Sequence, residues 1–143
     1  MIYTSYFDKA KELKLYSKRD YLCIAICRKN PEVYCGASIK ELAPSLELLH
    51  AYKKGEIDTD YYTEKYNEEV LKGLSEKMIL DLIYEKIPED IKGILANEKY
   101  CFAEESSELK VVLLCYEPEG EFCHRQLLAE YLRNQLQIEC REL

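Results

Sequence analysis

The stretch KVVLLCYEPEGEFCHRQLLAEYL, residues 110–132, decides the fold. Residues 111–116 form a continuous apolar run, the composition of a strand buried on both faces. A short turn follows. From Phe122 the apolar period lengthens, with Leu127, Leu128, Tyr131, Leu132 and Leu136 at helical spacing, so residues 122–136 predict an amphipathic helix. That helix opens with Cys123, His124 and Arg125, just beyond the carboxyl end of a strand, which is where α/β proteins build anion and substrate sites.

Working outward, YLCIAIC at 21–27 has the same buried-strand character and is broken by Arg28-Lys29-Asn30-Pro31. Residues 2–7 are a short β-prone start, and residues 8–18 read as helix or loop. Ser38 to Glu41 fits a capping box, with Pro44 limiting that helix to about one turn. Ser45 caps a helix carrying Leu46, Leu48, Leu49 and Tyr52, with Gly55 placed to end it. Asp58 or Thr59 caps the next, whose face is Tyr62, Tyr66, Val70, Leu71 and Leu74. Ser75 starts another with Met78, Ile79, Leu82 and Ile83, stopped near Pro88, and residues 91–96 are a further short helical piece. Residues 97–109 are polar and acidic and read as an exposed connection. Residues 137–141 are expected to be the last strand.

Strands separated by helical segments imply a single α/β domain over residues 1–143. The expected architecture is three-layered and Rossmann-like: a small, mostly parallel sheet of about four strands with helices on both faces. Ligands of such sheets bind beyond the strand carboxyl ends, which brings the Arg28 turn and the 117–125 turn into one region.

The net charge of −7 argues against an extended nucleic-acid-binding face. The start MIYTSYFDKAKELK has no apolar core of a signal peptide, and no apolar run is long enough to span a bilayer. Seven cysteines, an odd number, fit reduced thiols better than a disulfide framework, so the expected setting is cytoplasmic.

Six residues carry the candidate chemistry. Cys123 at a helix start, two residues from Arg125, is placed for thiolate stabilisation. His124 suits general acid/base work, and Glu117 at the strand end is a candidate base. These three are the catalytic candidates. Arg125, Arg28 and Cys115 are the ligand-binding candidates. Arg125 opposes the helix dipole and so needs a partner, either Glu117 or an anionic ligand. Cys115, Cys123 and His124 could ligate a metal with Cys23 or Cys27, which makes a metal-binding protein the third-ranked reading, but the spacing is not a known zinc template, so no metal site is assigned and the cofactor is left unknown. There is no Cys-x5-Arg loop, no Cys-x-x-Cys pair, no glycine-rich phosphate loop and no serine nucleophile elbow. His50 sits in a Leu-rich helix and reads as structural.

The chain also resembles a known family. Thr4-Ser5-Tyr6-Phe7, Ile26-x-Arg28, Leu42-Ala43-Pro44-Ser45, Tyr52-Lys53, and above all Leu113-Leu114-Cys115-Tyr116-Glu117 followed by Phe122-Cys123-His124-Arg125, resemble the family catalogued as domain of unknown function 488, in its short single-domain branch. Cys27 stands where a small residue such as Ala is expected. The resemblance implies a compact α/β fold with Arg28, Cys115, Glu117, Cys123, His124 and Arg125 in its motifs. It implies no reaction, cofactor or substrate. The functional expectation is therefore an anion or nucleotide-type pocket at the Cys-His-Arg helix start, in a small enzyme using a Cys or His there on a phosphate-bearing ligand. The alternative is a non-catalytic module that binds a nucleotide, a nucleic-acid end or a partner protein. Oligomeric state is left open.

Overall fold

The computed structural model describes residues 1–95 and 98–143; Ala96 and Asn97, at the seam between an expected helix and an expected connection, lie outside the described residues. Five strands form one all-parallel sheet: β1 (Ile2–Tyr6), β2 (Tyr21–Ala25), β3 (Ala37–Ser38), β4 (Lys110–Cys115) and β5 (Cys140–Glu142), in the spatial order β3-β2-β4-β1-β5. The two continuous apolar runs are adjacent central strands, with Tyr21 beside Lys110 and Ala25 beside Leu114. Among the described residues six α-helices accompany the sheet: α1 (Phe7–Glu12), α2 (Leu46–Lys53), α3 (Thr59–Tyr66), α4 (Glu76–Tyr84), α5 (Glu89–Leu95) and α6 (His124–Asn134). No helix among the described residues is long and apolar enough to cross a membrane.

Alternation along the strands splits the core into two layers. Ile24, Val111 and Leu113 meet Leu48, Tyr66, Ile79, Ile83, Leu128 and Leu132 of α2, α3, α4 and α6 on one face. Cys23, Ala25, Val112 and Leu114 meet Phe7, Ala10 and Leu15 on the other. The second layer is thin: α1, a 3-10 turn at Leu15–Ser17, and Tyr34 from the β2–β3 connection. The Tyr34 hydroxyl donates to the Ala37 carbonyl at 2.6 Å and lies 3.1 Å from the Cys23 carbonyl, tying that connection to the sheet.

The connection after β2 leads to one edge of the sheet and the connection after β4 to the other. They run on opposite faces, through Tyr34 and through α6. The β2/β4 boundary is therefore the topological switch point, where a crevice opens beyond the strand ends.

The expected caps form. Ser45 accepts from the Leu48 N–H, Asp58 from Tyr61 and Ser75 from Met78. Gly55, at φ +74°, closes α2. Several expectations are corrected. There are five strands rather than about four, because the two-residue β3 is too short to show alternation. Ser38 is drawn into β3 beside Ala25, so it caps no helix, and the turn that follows is 3-10 at Lys40–Leu42. The 58–74 helix passes into a π-helical turn at Asn67–Leu71, which leaves Val70 half-buried while Leu71 and Leu74 stay in the core. Met78 is 52% exposed, and Leu80 takes its place inside. Gln137 adopts a left-handed φ of 57°, so the last strand begins later, at Cys140. The segment after residue 97 is not simply an exposed connection: Phe102 and Leu109 are buried core residues.

Phe102→Ala should therefore cost about 3–5 kcal/mol in chemical denaturation, the loss expected of a core aromatic and not of a surface loop. Burial raises the Cys140 thiol from 9.0 to about 12. Its folded pKa lies above its unfolded one, so its contribution is complete below pH 9 and is lost as pH rises toward 12. Cys140→Val should shrink the stability lost between about pH 8 and about pH 11 in urea titrations; an unchanged loss would show that Cys140 is not buried as described.

Candidate functional site

The switch-point crevice is a cavity of about 560 Å³, within the range of about 300–1,000 Å³ usual for small-molecule sites. Its floor is Cys115, Cys123 and His124; Glu117 and Tyr116 flank it, and Arg28, Lys29 and Lys53 bring positive charge. Tyr52, Tyr62 and Phe122 form an aromatic wall, with ring centroids 5.2–5.5 Å apart.

Cys115 is the last residue of β4. Cys123 is the N-cap of α6, one position earlier in the helix than the sequence pattern suggests. It has extended backbone angles, and its N–H donates to the Gln126 side chain at 3.0 Å. His124 follows as the first helical residue, and its Nε2 lies 2.7 Å from the Ile26 carbonyl just beyond β2. A carbonyl can only accept, so Nε2 carries a proton, and in the neutral tautomer this leaves, Nδ1 presents a lone pair. That lone pair faces two sulfurs, Cys115 Sγ at 3.6 Å and Cys123 Sγ at 3.8 Å. All three donor atoms lie within 4.8 Å of one another, and all three residues are buried.

The Cys115 thiol also donates to the Glu117 carboxylate at 3.3 Å. Burial alone would raise Glu117, yet hydrogen bonds from the two cysteines and the backbone hold it below the ordinary carboxylate value. The two sulfurs diverge. Cys123 is lowered from 9.0 to about 6, foremost by the neighbouring Cys115 thiol and then by His124, against burial and the Glu117 charge. Cys115 is pushed well above its usual value by the same pairing and by burial.

Arg28 stands at the crevice edge. Its Nε donates to the Pro44 carbonyl at 3.0 Å, and Nη2 donates to the Ala43 and Lys40 carbonyls at 3.2 and 3.4 Å. These neutral acceptors leave its charge uncompensated. Among the described residues no carboxylate lies within 4.0 Å of the cationic nitrogens of Arg28, Lys29 or Lys53. Glu121 at the rim is the other carboxylate beside Glu117.

Arg125 is not in this crevice. Its side chain is 0% exposed and turned to the far side of the turn. There Nε and Nη2 meet Glu142 of β5 at 3.1 and 3.0 Å, and Nη1 donates to the Glu117 main-chain carbonyl. The Glu142 carboxylate also accepts from Thr4 at 2.6 Å, and the Tyr6 ring lies 5.5 Å from the guanidinium carbon. The partner that Arg125 requires is thus Glu142 rather than the Glu117 carboxylate. Cys27 turns its thiol to the Lys29 carbonyl and Asn30, and Cys23 packs among apolar side chains of the thin layer, so neither joins the group of sulfur and imidazole donors. His50 is exposed on α2.

The structure therefore brings together Arg28, Cys115, Glu117, Cys123 and His124, and sets Arg125 apart. Sequence reasoning missed the aromatic wall and the two lysines. Tyr52 and Tyr62 sit at helical spacing that core packing explains equally well; the 13 tyrosines were the one available signal.

Comparison with known proteins returns nothing: no family model, curated protein or solved structure matches the chain. The resemblance to domain of unknown function 488 therefore rests on the quoted motifs.

Removing one partner of a buried ion pair strands the other. Arg125→Met should destabilise the protein by about 3–5 kcal/mol, with Glu142→Gln milder because Glu142 is one-third exposed. Urea midpoints measure both. An Arg125→Met protein of unchanged stability would remove this structural role.

Proposed function

We propose that the protein binds an anionic, ring-bearing small molecule of mononucleotide size in the switch-point crevice and acts on it at the Cys-His floor. The observation that carries this reading is the pairing of an aromatic wall with three cations that lack carboxylate partners, over a floor of two sulfurs and an imidazole. The ring of the ligand lies against Tyr52, Tyr62 and Phe122. The anion lies toward Arg28, Lys29 and Lys53, so a chain of net charge −7 attracts it locally. The reacting centre lies over Cys115, Cys123 and His124, with Glu117 beside them. Arg125 acts from behind as the residue that positions the helix start. Seven unpaired cysteines support a reducing, cytoplasmic setting. The same motifs support membership in the domain of unknown function 488 family.

AMP, adenosine and inorganic phosphate should be compared by calorimetry and thermal shift. AMP is expected to bind more tightly than either fragment, and more weakly as salt is added. Lys29 and Lys53 are exposed, and the tie between Lys29 and Tyr116 runs through the main-chain carbonyl, which an alanine keeps. Lys29→Ala and Lys53→Ala should each weaken AMP by about fivefold, the worth of a solvent-exposed charge contact, with unchanged Tm. Absence of any shift with millimolar AMP, GMP, CMP and UMP would sink the nucleotide reading. Binding without turnover of any of them would favour the non-catalytic module.

A further inference from the structure

We propose that Cys115, Cys123 and His124 are three ligands of a site for a thiophilic divalent cation, zinc foremost, whose fourth position opens into the crevice. The site stands on ligand geometry alone and is independent of what the crevice binds.

Tetrahedral zinc has Zn–S bonds of about 2.3 Å and Zn–N bonds of about 2.0–2.1 Å, so its S···N edges are about 3.6 Å and its S···S edge about 3.8 Å. The observed Nδ1···Sγ separations are 3.6 Å to Cys115 and 3.8 Å to Cys123, and the third edge lies within 4.8 Å. The two S···N edges thus match such a tetrahedron as they stand, and the two sulfurs lie close enough to complete its face with a small side-chain adjustment.

The imidazole is prepared for this role. Nε2–H donates to the Ile26 carbonyl at 2.7 Å, favouring the tautomer that leaves Nδ1 free and holding the ring in place. Histidine ligands are held this way when the remaining ring nitrogen donates to a carbonyl. Two sulfurs and one imidazole are soft and borderline donors, which select zinc over magnesium or calcium. Charge also balances. Two thiols lose their protons to solvent as two sulfur–metal bonds form, and two thiolates neutralise a divalent cation beside a neutral ring. A neutral assembly suits a floor whose three residues are buried.

Sequence spacing hides the set, because His124 directly follows Cys123 and the other cysteine lies eight positions before it on β4. Only the fold turns Cys115 at a strand end toward the N-cap of α6. Three protein ligands plus an open position facing a cavity is the arrangement of catalytic zinc sites, whereas structural sites close with four.

The test uses the reduced full chain without a metal-binding tag, demetallated, then given zinc or cobalt with no nucleotide present. About one equivalent of zinc per chain is expected to survive gel filtration, and cobalt should give thiolate-to-metal charge transfer with the intense visible bands of four-coordinate cobalt. Zinc should slow iodoacetamide labelling of Cys115 and Cys123 but not of exposed Cys35, read by peptide mass spectrometry of the wild-type chain, so no variant need fold. Cys123→Ser and His124→Gln should each lower zinc affinity at least tenfold, while Cys27→Ser leaves it unchanged. Less than about one tenth of an equivalent of zinc with no charge-transfer band would overturn the site, as would retained zinc that leaves Cys115 and Cys123 unprotected. Because AMP is absent throughout, either result leaves the lysine-dependent AMP measurement to stand or fall separately.

Discussion

The buried Arg125–Glu142 pair is the constraint from which the rest of the site follows. Arg125 is the second residue of α6, at the end of a helix where a cation is disfavoured by the dipole. It is held there by a carboxylate from β5 and a carbonyl from the turn after β4. Thr4 on β1 binds the same carboxylate. Three strands are thereby tied to one helix start. With Arg125 fixed, Cys123 and His124 have no freedom to slide along the sheet, and His124 reaches across to the Ile26 carbonyl beyond β2. The guanidinium does no binding in the crevice. It sets the position of the groups that line it.

The switch point explains why the crevice is where it is, and the two core layers explain its lopsided walls. The thick layer brings Tyr52 from α2 and Tyr62 from α3 against Phe122. The thin layer contributes only the turn after β2, with Lys29 bound through its carbonyl to the Tyr116 hydroxyl at 2.6 Å. One wall is therefore aromatic, with Tyr52 and Tyr62 on helices and Phe122 in the turn before α6, while Arg28 and Lys29 stand on the turn after β2 and Lys53 at the end of α2.

The strands and caps were legible because each depends on a handful of adjacent residues. YLCIAIC and KVVLLC show buried parallel strands directly, and Ser45, Asp58 and Ser75 cap where local chemistry predicts. Features that depend on distant partners were not legible. Strand β3 exists because Ala25 offers it a ladder, not because Ala37 and Ser38 favour extension. Arg125 could be read as needing a carboxylate, but nothing local says that the carboxylate is 17 residues away on β5. The sequence pattern put Cys115, Glu117, Cys123 and His124 in one neighbourhood, and they are in one neighbourhood. That both sulfurs face the same ring nitrogen depends on the ring orientation held by the carbonyl of Ile26, a residue just beyond another strand.

Cysteine as a small buried hydrophobe accounts for Cys23 and Cys140, and these two make an internal comparison for the floor cysteines. Each packs among apolar side chains, and burial raises each thiol, to about 11 and about 12. Neither has a sulfur or imidazole donor beside it in a shared cluster. Cys115 and Cys123 are as deeply buried, yet they face one another, an imidazole lone pair and a carboxylate. If burial of small side chains were the whole purpose, Ala or Val would fill these positions without gathering polar groups that cost solvation. The fold accepts that cost at the floor of the crevice, where ionisable groups gather, whereas buried Cys27 meets only neutral acceptors in the Lys29 carbonyl and the Asn30 side chain. The distinction between the two kinds of cysteine in one chain is the strongest physical reason to read the crevice floor as a working site.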